Sequence, residues 1–246
     1  MLHQLILICN LWLWSEAMPR TIGPDFQTRD QHLRDLPIAK VISGMARVAP
    51  KNRTLIDLSL AVHSIDMDLA KGMFSTDGYI ALTWNDPRYA WDPTQHKGVT
   101  SVRLPFSSTW APEIILDNAV EEKFIYRQVG HVYDNGGFVY LVKIHAKSRC
   151  RPIYEDPNFP FHIQTCSLRF GSWLNEHYGV EYRNDGDVDL SDFTSPTGWD
   201  MMAADARLES VHYPKFEEPS RLVVFNFAFK RNLYYDPVSG ILWKVR

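Results

Sequence analysis

Three kinds of residue in this chain could do chemistry: cysteines, histidines, and aromatic rings set among carboxylates. The cysteines are Cys9, Cys150 and Cys166. The nine histidines include His131, His145, His162 and His177, but no pair has the H-E-x-x-H spacing of a zinc hydrolase. No G-x-S-x-G elbow is present, and a cysteine pair joined as a disulfide leaves no thiolate nucleophile. This argues against an enzyme and points to no metal ion and no cofactor. Asp185, Asp187, Asp189 and Asp192 offer oxygen ligands for Ca²⁺, but without the spacing of an EF-hand, so the run reads as a solvated loop. The rings are the remaining chemistry. Aromatic content is 13%, and an aromatic face holds a desolvated ammonium group with about 0.5–2 kcal/mol per well-placed ring.

The compartment follows from the N-terminus. Residues 1–17, MLHQLILICNLWLWSEA, are apolar and end in Ser15-Glu16-Ala17, the small-x-small pattern of a secretory signal peptide. Its removal takes Cys9 with it. The mature chain then holds two cysteines in an oxidising compartment, and one Cys150–Cys166 disulfide is expected. Asn52-Arg53-Thr54 is a glycosylation acceptor triplet, consistent with a secreted or extracellular protein. After residue 17 no run of about eighteen apolar residues occurs, so no membrane span is expected. The net charge of −3 gives no basic excess and no reason to expect a nucleic-acid partner.

The elements that must position these groups are strands. Residues 25–36, DFQTRDQHLRDL, read as one short surface helix capped by Asp25. After Pro50 the apolar period changes to two. Ile56, Leu58, Leu60 and Val62 share a face, as do Ile80, Leu82 and Trp84 with Tyr79 and Ala81 opposite. Asp134-Asn135-Gly136-Gly137 marks a hairpin turn. Beyond it Phe138, Tyr140, Val142 and Ile144 face one way, and Val139, Leu141, Lys143 and His145 the other. Val223, Phe225, Phe227 and Phe229 alternate with Leu222, Val224, Asn226 and Ala228. The pattern predicts an all-β, immunoglobulin-like β-sandwich with a short N-terminal helix, in one domain spanning 18–246.

Particular motifs give this sandwich a family resemblance. Cys150 and Cys166 bracket RPIYEDPNFPFHIQT, and Phe170-Gly171-Ser172-Trp173 follows. Before them stand Trp84-Asn85-Asp86 with Arg88 and Trp91-Asp92-Pro93, then Trp110-Ala111-Pro112-Glu113-Ile114-Ile115-Leu116-Asp117-Asn118. After them come Asp189-Leu190-Ser191, Gly198-Trp199-Asp200 and Lys230-Arg231-Asn232-Leu233-Tyr234-Tyr235. In this order, over roughly residues 54 to 235, they resemble the ligand-binding domain of the Cys-loop receptors, the pentameric ligand-gated ion channels. FGSW and WAPEIILDN resemble the nicotinic acetylcholine receptors and the acetylcholine-binding proteins more than the glycine and GABA branch.

The resemblance implies a homo- or hetero-pentamer that binds a small, amine-like neurotransmitter ligand between subunits. It places Asp117, Trp173, Tyr213 and Phe216 on the principal face, with Glu217 and Glu218 near them. It places Tyr79, Tyr133, Val139 and Leu141 on the complementary face, with the acidic run at 185–192 beside them. A tryptophan after a strand is also an ordinary core residue. Phe216, Val139 and Leu141 suit a plain subunit interface equally well.

Some positions depart from the family pattern. His162 replaces the acid after Phe159-Pro160-Phe161, and Lys215-Phe216 stand where nicotinic α-type subunits carry adjacent cysteines. Asp117 and Ser220 replace two tyrosines of the aromatic box, which brings acetylcholine itself into question. The sequence fits both a soluble binding protein and a receptor segment that joins a membrane pore domain. A structural pentamer subunit that binds nothing, or a secreted β-sandwich lectin or adhesion module, are the alternatives.

Overall fold

The computed structural model describes residues 48–50, 53–68, 71–126, 129–150, 158, 161–172, 180–184, 188–196, 198–214, 219–236 and 241–244. The expected signal peptide, the helix at 25–36 and Asn52 lie outside the described residues, as do Trp173, Phe216, Glu217 and Glu218.

Strands dominate, in the order β1 (Thr54–Asp68), β2 (Met73–Asn85), β3 (Ser101–Pro105), β4 (Ile115–Leu116), β5 (Ala119–Tyr126), β6 (Val129–Tyr133) and β7 (Gly137–Arg149). There follow β8 (Ile163–Gly171), β9 (Val180–Arg183), β10 (Val188–Asp189), β11 (Trp199–Val211), β12 (Ser220–Arg231), β13 (Leu233–Asp236) and β14 (Ile241–Lys244). The larger sheet runs β10-β1-β2-β7-β6-β3, with β5 also on β7 and β9 also on β1. The smaller sheet runs β11-β12-β8-β4, and β13 pairs with β14.

Period-two alternation makes these strands, because every second side chain points into the same space. Ile56, Leu58, Leu60, Ile80, Leu82, Phe138 and Ile144 from the larger sheet are fully buried. They form one core with Leu168, Phe170, Val223, Phe225, Phe227 and Phe229 from the smaller sheet. At one end of this core Trp84 stacks on Phe138 at 4.8 Å and meets Tyr140 and Trp110 edge-on. The result is the all-β sandwich expected from the pattern.

One strand is more buried than its alternation suggests. On β12 the outward Leu222 and Val224 are buried as well as the inward Val223 and Phe225. Val224 lies in register between Arg169 and Arg207, and Leu222 lies beside Glu209. A Cβ on Gly171 would come within 2.3 Å of Leu222 Cδ2, so the missing side chain leaves the space Leu222 fills.

The sequence landmarks act as fasteners. Asp86 is buried and caps the short turn Pro87–Tyr89, and Arg88 grips it with Nε–Oδ1 at 2.9 Å and Nη2–Oδ2 at 2.6 Å. Trp91 Nε1 donates to Val99 O at 2.7 Å, and its backbone N–H donates to Asp134 O at 2.9 Å. The β6–β7 turn therefore sits against the β2–β3 connection, with Gly136 at φ 83°. Cys150 and Cys166 are disulfide-bonded with Cα atoms 5.0 Å apart, joining β8 of the smaller sheet to the residue just after β7 of the larger. Cys150 N–H also donates to Gly72 O at 2.8 Å, tying the β1–β2 turn to the same corner.

Candidate functional site

The principal-face residues are placed by β8. Leu168 and Phe170 are fully buried, so Arg169 between them must point out of the sandwich. Asn118 holds the segment after β4 against this strand. Its Nδ2 donates to Ser167 O at 2.7 Å and its Oδ1 accepts from Arg169 N–H at 3.1 Å. Asp117 N–H donates to Arg169 O at 2.8 Å. These bonds set the Asp117 carboxylate beside the Arg169 guanidinium.

A chain of polar groups runs out from there. Tyr213, just beyond β11, donates its hydroxyl to Asp117 Oδ1 at 2.6 Å. Arg169 Nε lies 3.7 Å from Asp117 Oδ2, and Arg169 Nη2 lies 2.9 Å from Glu209 Oε2. Arg207 Nη2 reaches the other Glu209 oxygen at 2.6 Å. The separation of 3.7 Å is an ion pair but not a hydrogen bond. Arg169 Nε is buried and has no hydrogen-bond partner among the described residues. The side chains of Asp117, Arg169 and Glu209 keep 23%, 31% and 24% of their exposure. Partial burial and the adjacent Asp117 carboxylate hold the Tyr213 phenol protonated, pushing its pKa up to about 12, and the nearby Arg169 opposes this.

The structure thus brings Asp117 and Tyr213 into direct contact. Trp173 and Phe216 of the same expected face lie outside the described residues, so their placement is not part of this geometry.

The complementary-face residues lie elsewhere, on the outer surface of the larger sheet. Tyr79, Val139 and Leu141 are half-buried and Tyr133 is exposed. Leu141 pairs with Ala81, Val139 with both Thr83 and His131, and Tyr133 with Ser101. Tyr79 meets the His63 ring edge-on at 5.1 Å. His131 stacks near Tyr133 at 6.3 Å, and its Nε2 accepts from Arg103 Nε at 2.9 Å. An arginine donates only, so this bond requires the His131 Nε2 lone pair. Asp189 is in register with Ala61, which is itself in register with Tyr79. The Asp189 carboxylate is turned back onto Ser191 N–H at 2.9 Å, and no group of three metal-ligating side chains exists among the described residues.

Asp117 and Tyr213 therefore stand at the outer face of the smaller sheet, and Tyr79, Tyr133, Val139 and Leu141 on the outer face of the larger.

Arg169, Glu209, Arg207 and Arg103 carry no expectation from the sequence, and His131 figures there only as a histidine without metal-ligand spacing. The alternation of S-L-R-F-G already aims Arg169 outward from an otherwise apolar strand, and that signal was available. The pairings with Glu209 and His131 join distant segments and have no local signature. His162, at the family's acidic position, is buried, with Nε2 3.1 Å from Gln164 Oε1 and its ring edge-on to Trp199 at 6.5 Å. Its neighbour Phe161 is 63% exposed.

Comparison with known proteins agrees with this architecture. Residues 45–233, well over half of the chain, match the model of the neurotransmitter-gated ion-channel ligand binding domain. The chain is 26% identical over 202 residues to acetylcholine receptor subunit alpha-like 2 of Drosophila melanogaster, covering 76% of this chain and 35% of that protein. It is 27% identical over 244 residues to neuronal acetylcholine receptor subunit alpha-2 of Mus musculus, covering 95% and 47%. It is 28% identical over 208 residues to neuronal acetylcholine receptor subunit beta-4 of Bos taurus, covering 81% and 40%. The chain thus spans less than half the length of each of these three relatives.

Proposed function

The chain belongs to the neurotransmitter-gated ion-channel ligand-binding domain family, a family of extracellular binding domains rather than enzymes, and from that premise we propose that it captures a small cationic ligand between neighbouring subunits of a pentamer. The observation that carries this reading is the back-to-back placement of the two residue sets. Asp117 and Tyr213 stand on the smaller sheet; Tyr79, Tyr133, Val139 and Leu141 stand on the larger. A site that uses both faces needs a head-to-tail contact, and repeated head-to-tail contacts close into a ring. Trp173 and Phe216 complete the principal side in this proposal, Trp173 supplying the ring face on which an ammonium group rests. A full receptor would couple ligand capture to a pore domain by favouring one of two states of the binding domain. The mature domain at 18–246 after a signal peptide at 1–17, and glycosylation at Asn52, belong to the same proposal.

A second reading draws on one specific observation. Among the described residues, two carboxylates of the principal face already have arginine neighbours, Asp117 beside Arg169 and Glu209 between Arg169 and Arg207. A subunit that assembles but binds nothing would carry such a self-neutralised face.

The test is a tryptophan-fluorescence titration of the purified protein with acetylcholine, nicotine and a panel of amines, with the assembly mass measured by light scattering. Saturable quenching by a ring-sized assembly, lost in Trp173→Ala, supports the binding reading. A pentamer that responds to no amine supports the structural subunit. A monomer that still binds saturably overturns the interface site.

A further inference from the structure

We propose that the cation this site takes is a protonated primary or secondary or tertiary amine carrying at least one N–H, and that it discriminates against quaternary ammonium ions. The inference rests on the ligand-binding reading above and names the class of ligand for that site.

Three observations converge on it. The first is an unused acceptor. Asp117 Oδ1 takes the Tyr213 hydroxyl, whereas Oδ2 has only Arg169 Nε at 3.7 Å and no hydrogen bond among the described residues. A carboxylate oxygen has two lone pairs, so Oδ2 can accept an N–H at short range. The second is access. The Asp117 side chain keeps 23% of its exposure, enough to be reached and little enough for a bond to it to be sheltered from water. The third is charge balance. Asp117 and Glu209 carry two negative charges, and Arg169 and Arg207 carry two positive ones in contact with them. The four side chains together exert little net attraction on a cation at a distance.

These facts separate two kinds of cation. A quaternary ammonium has no N–H, and relies on ring faces and on the net field of its site. The Asp117 side of the site offers a neutralised cluster and a tyrosine whose hydroxyl is already engaged. An ammonium with an N–H gains a short charge-assisted bond to Oδ2, which the opposing arginines weaken far less than they weaken a long-range field.

The experiment is a calorimetric titration of the full chain with ethanolamine, N-methylethanolamine, N,N-dimethylethanolamine and choline at neutral pH. All four carry one positive charge, and only choline lacks an N–H. The expected result is a step at the last methyl: choline binds at least about tenfold more weakly than the dimethyl compound, the worth of one hydrogen bond to a charged group. Asp117→Asn removes the step. Asp117→Ser also takes away the carboxylate and removes the step as well, so the test survives if Asp117→Asn fails to fold. Choline binding as tightly as the dimethyl compound overturns this inference and leaves the binding reading standing. A smooth trend through all four, unchanged in Asp117→Asn, does the same. No saturable binding of any of the four overturns both.

Discussion

Removing the Tyr213 hydroxyl tests the link that fastens the segment after β11 to β4. The bond to Asp117 Oδ1 is 2.6 Å long and its acceptor is charged. Bonds of that type contribute about 1.5–3 kcal/mol when sheltered; at a site this open the expected cost of Tyr213→Phe is about 1–2 kcal/mol. The pH dependence is more diagnostic than the magnitude. In the folded chain the phenol ionises near 12 against an ordinary 10.0. The folded state therefore binds this proton more tightly than the unfolded chain. The stabilisation is complete below pH 10 and disappears as pH rises through 12. Wild type should lose stability in that window relative to Tyr213→Phe, by roughly 1–2 kcal/mol once solvent screening is allowed for.

Urea unfolding of both proteins from about pH 8 to pH 12 reads this difference directly. Tyr140 also ionises near 12, through burial, but it is present in both proteins and cancels in the comparison. If the two proteins lose stability in parallel across the window, Tyr213 ionises as a free phenol and the Asp117 tether does not hold in solution. Asp117→Asn supplies the second edge of a double-mutant cycle, with a coupling energy of about 1 kcal/mol expected for groups in direct contact.

Other positions give independent checks. Cys150→Ser with Cys166→Ser opens the bridge between the sheets, and thermal melts should show a loss of about 3 kcal/mol. Gly136→Ala puts a Cβ 2.6 Å from Asp86 O at a φ of 83°, and denaturant unfolding should register a loss of roughly 1–3 kcal/mol with no change in far-UV circular dichroism. Arg88→Ala leaves the buried Asp86 carboxylate without its ion pair, costing roughly 2–3 kcal/mol because Arg88 is itself partly exposed; Arg88→Lys should recover only part of it, since a lysine cannot form the two-point grip.

What could be read from the chain depended on whether the governing interaction was local. Phe138, Tyr140, Val142 and Ile144 announce their shared face through spacing alone, and the structure buries all four. Asn135-Gly136 announces the turn because position 136 must adopt a positive φ. By the same rule Leu222 falls on the face of β12 opposite Val223 and Phe225, yet it too is buried, because Gly171 on the neighbouring strand gives it room. No window of sequence around residue 222 contains that information. The site divides in the same way. The resemblance selected Asp117 and Tyr213, ninety-six positions apart, and in the folded chain a hydroxyl–carboxylate hydrogen bond joins them. The identity of the cation beside them was not visible, since Arg169 meets Asp117 and Glu209 only after β4, β8 and β11 have taken their register.

That missing cation changes the physical meaning of Asp117. From sequence, a carboxylate in place of a tyrosine adds negative charge to an aromatic site and should strengthen its pull on any cation. In the folded chain the same substitution comes with Arg169 3.7 Å away, so the added charge is largely cancelled beyond the first few ångströms. What survives is directional: one carboxylate oxygen without a hydrogen bond among the described residues, on a carboxylate fixed by a tyrosine on its other side. A binding face built from rings reads charge and shape, whereas a face built around Oδ2 of Asp117 reads the presence of a hydrogen on nitrogen. The distinction follows from where β8 points Arg169.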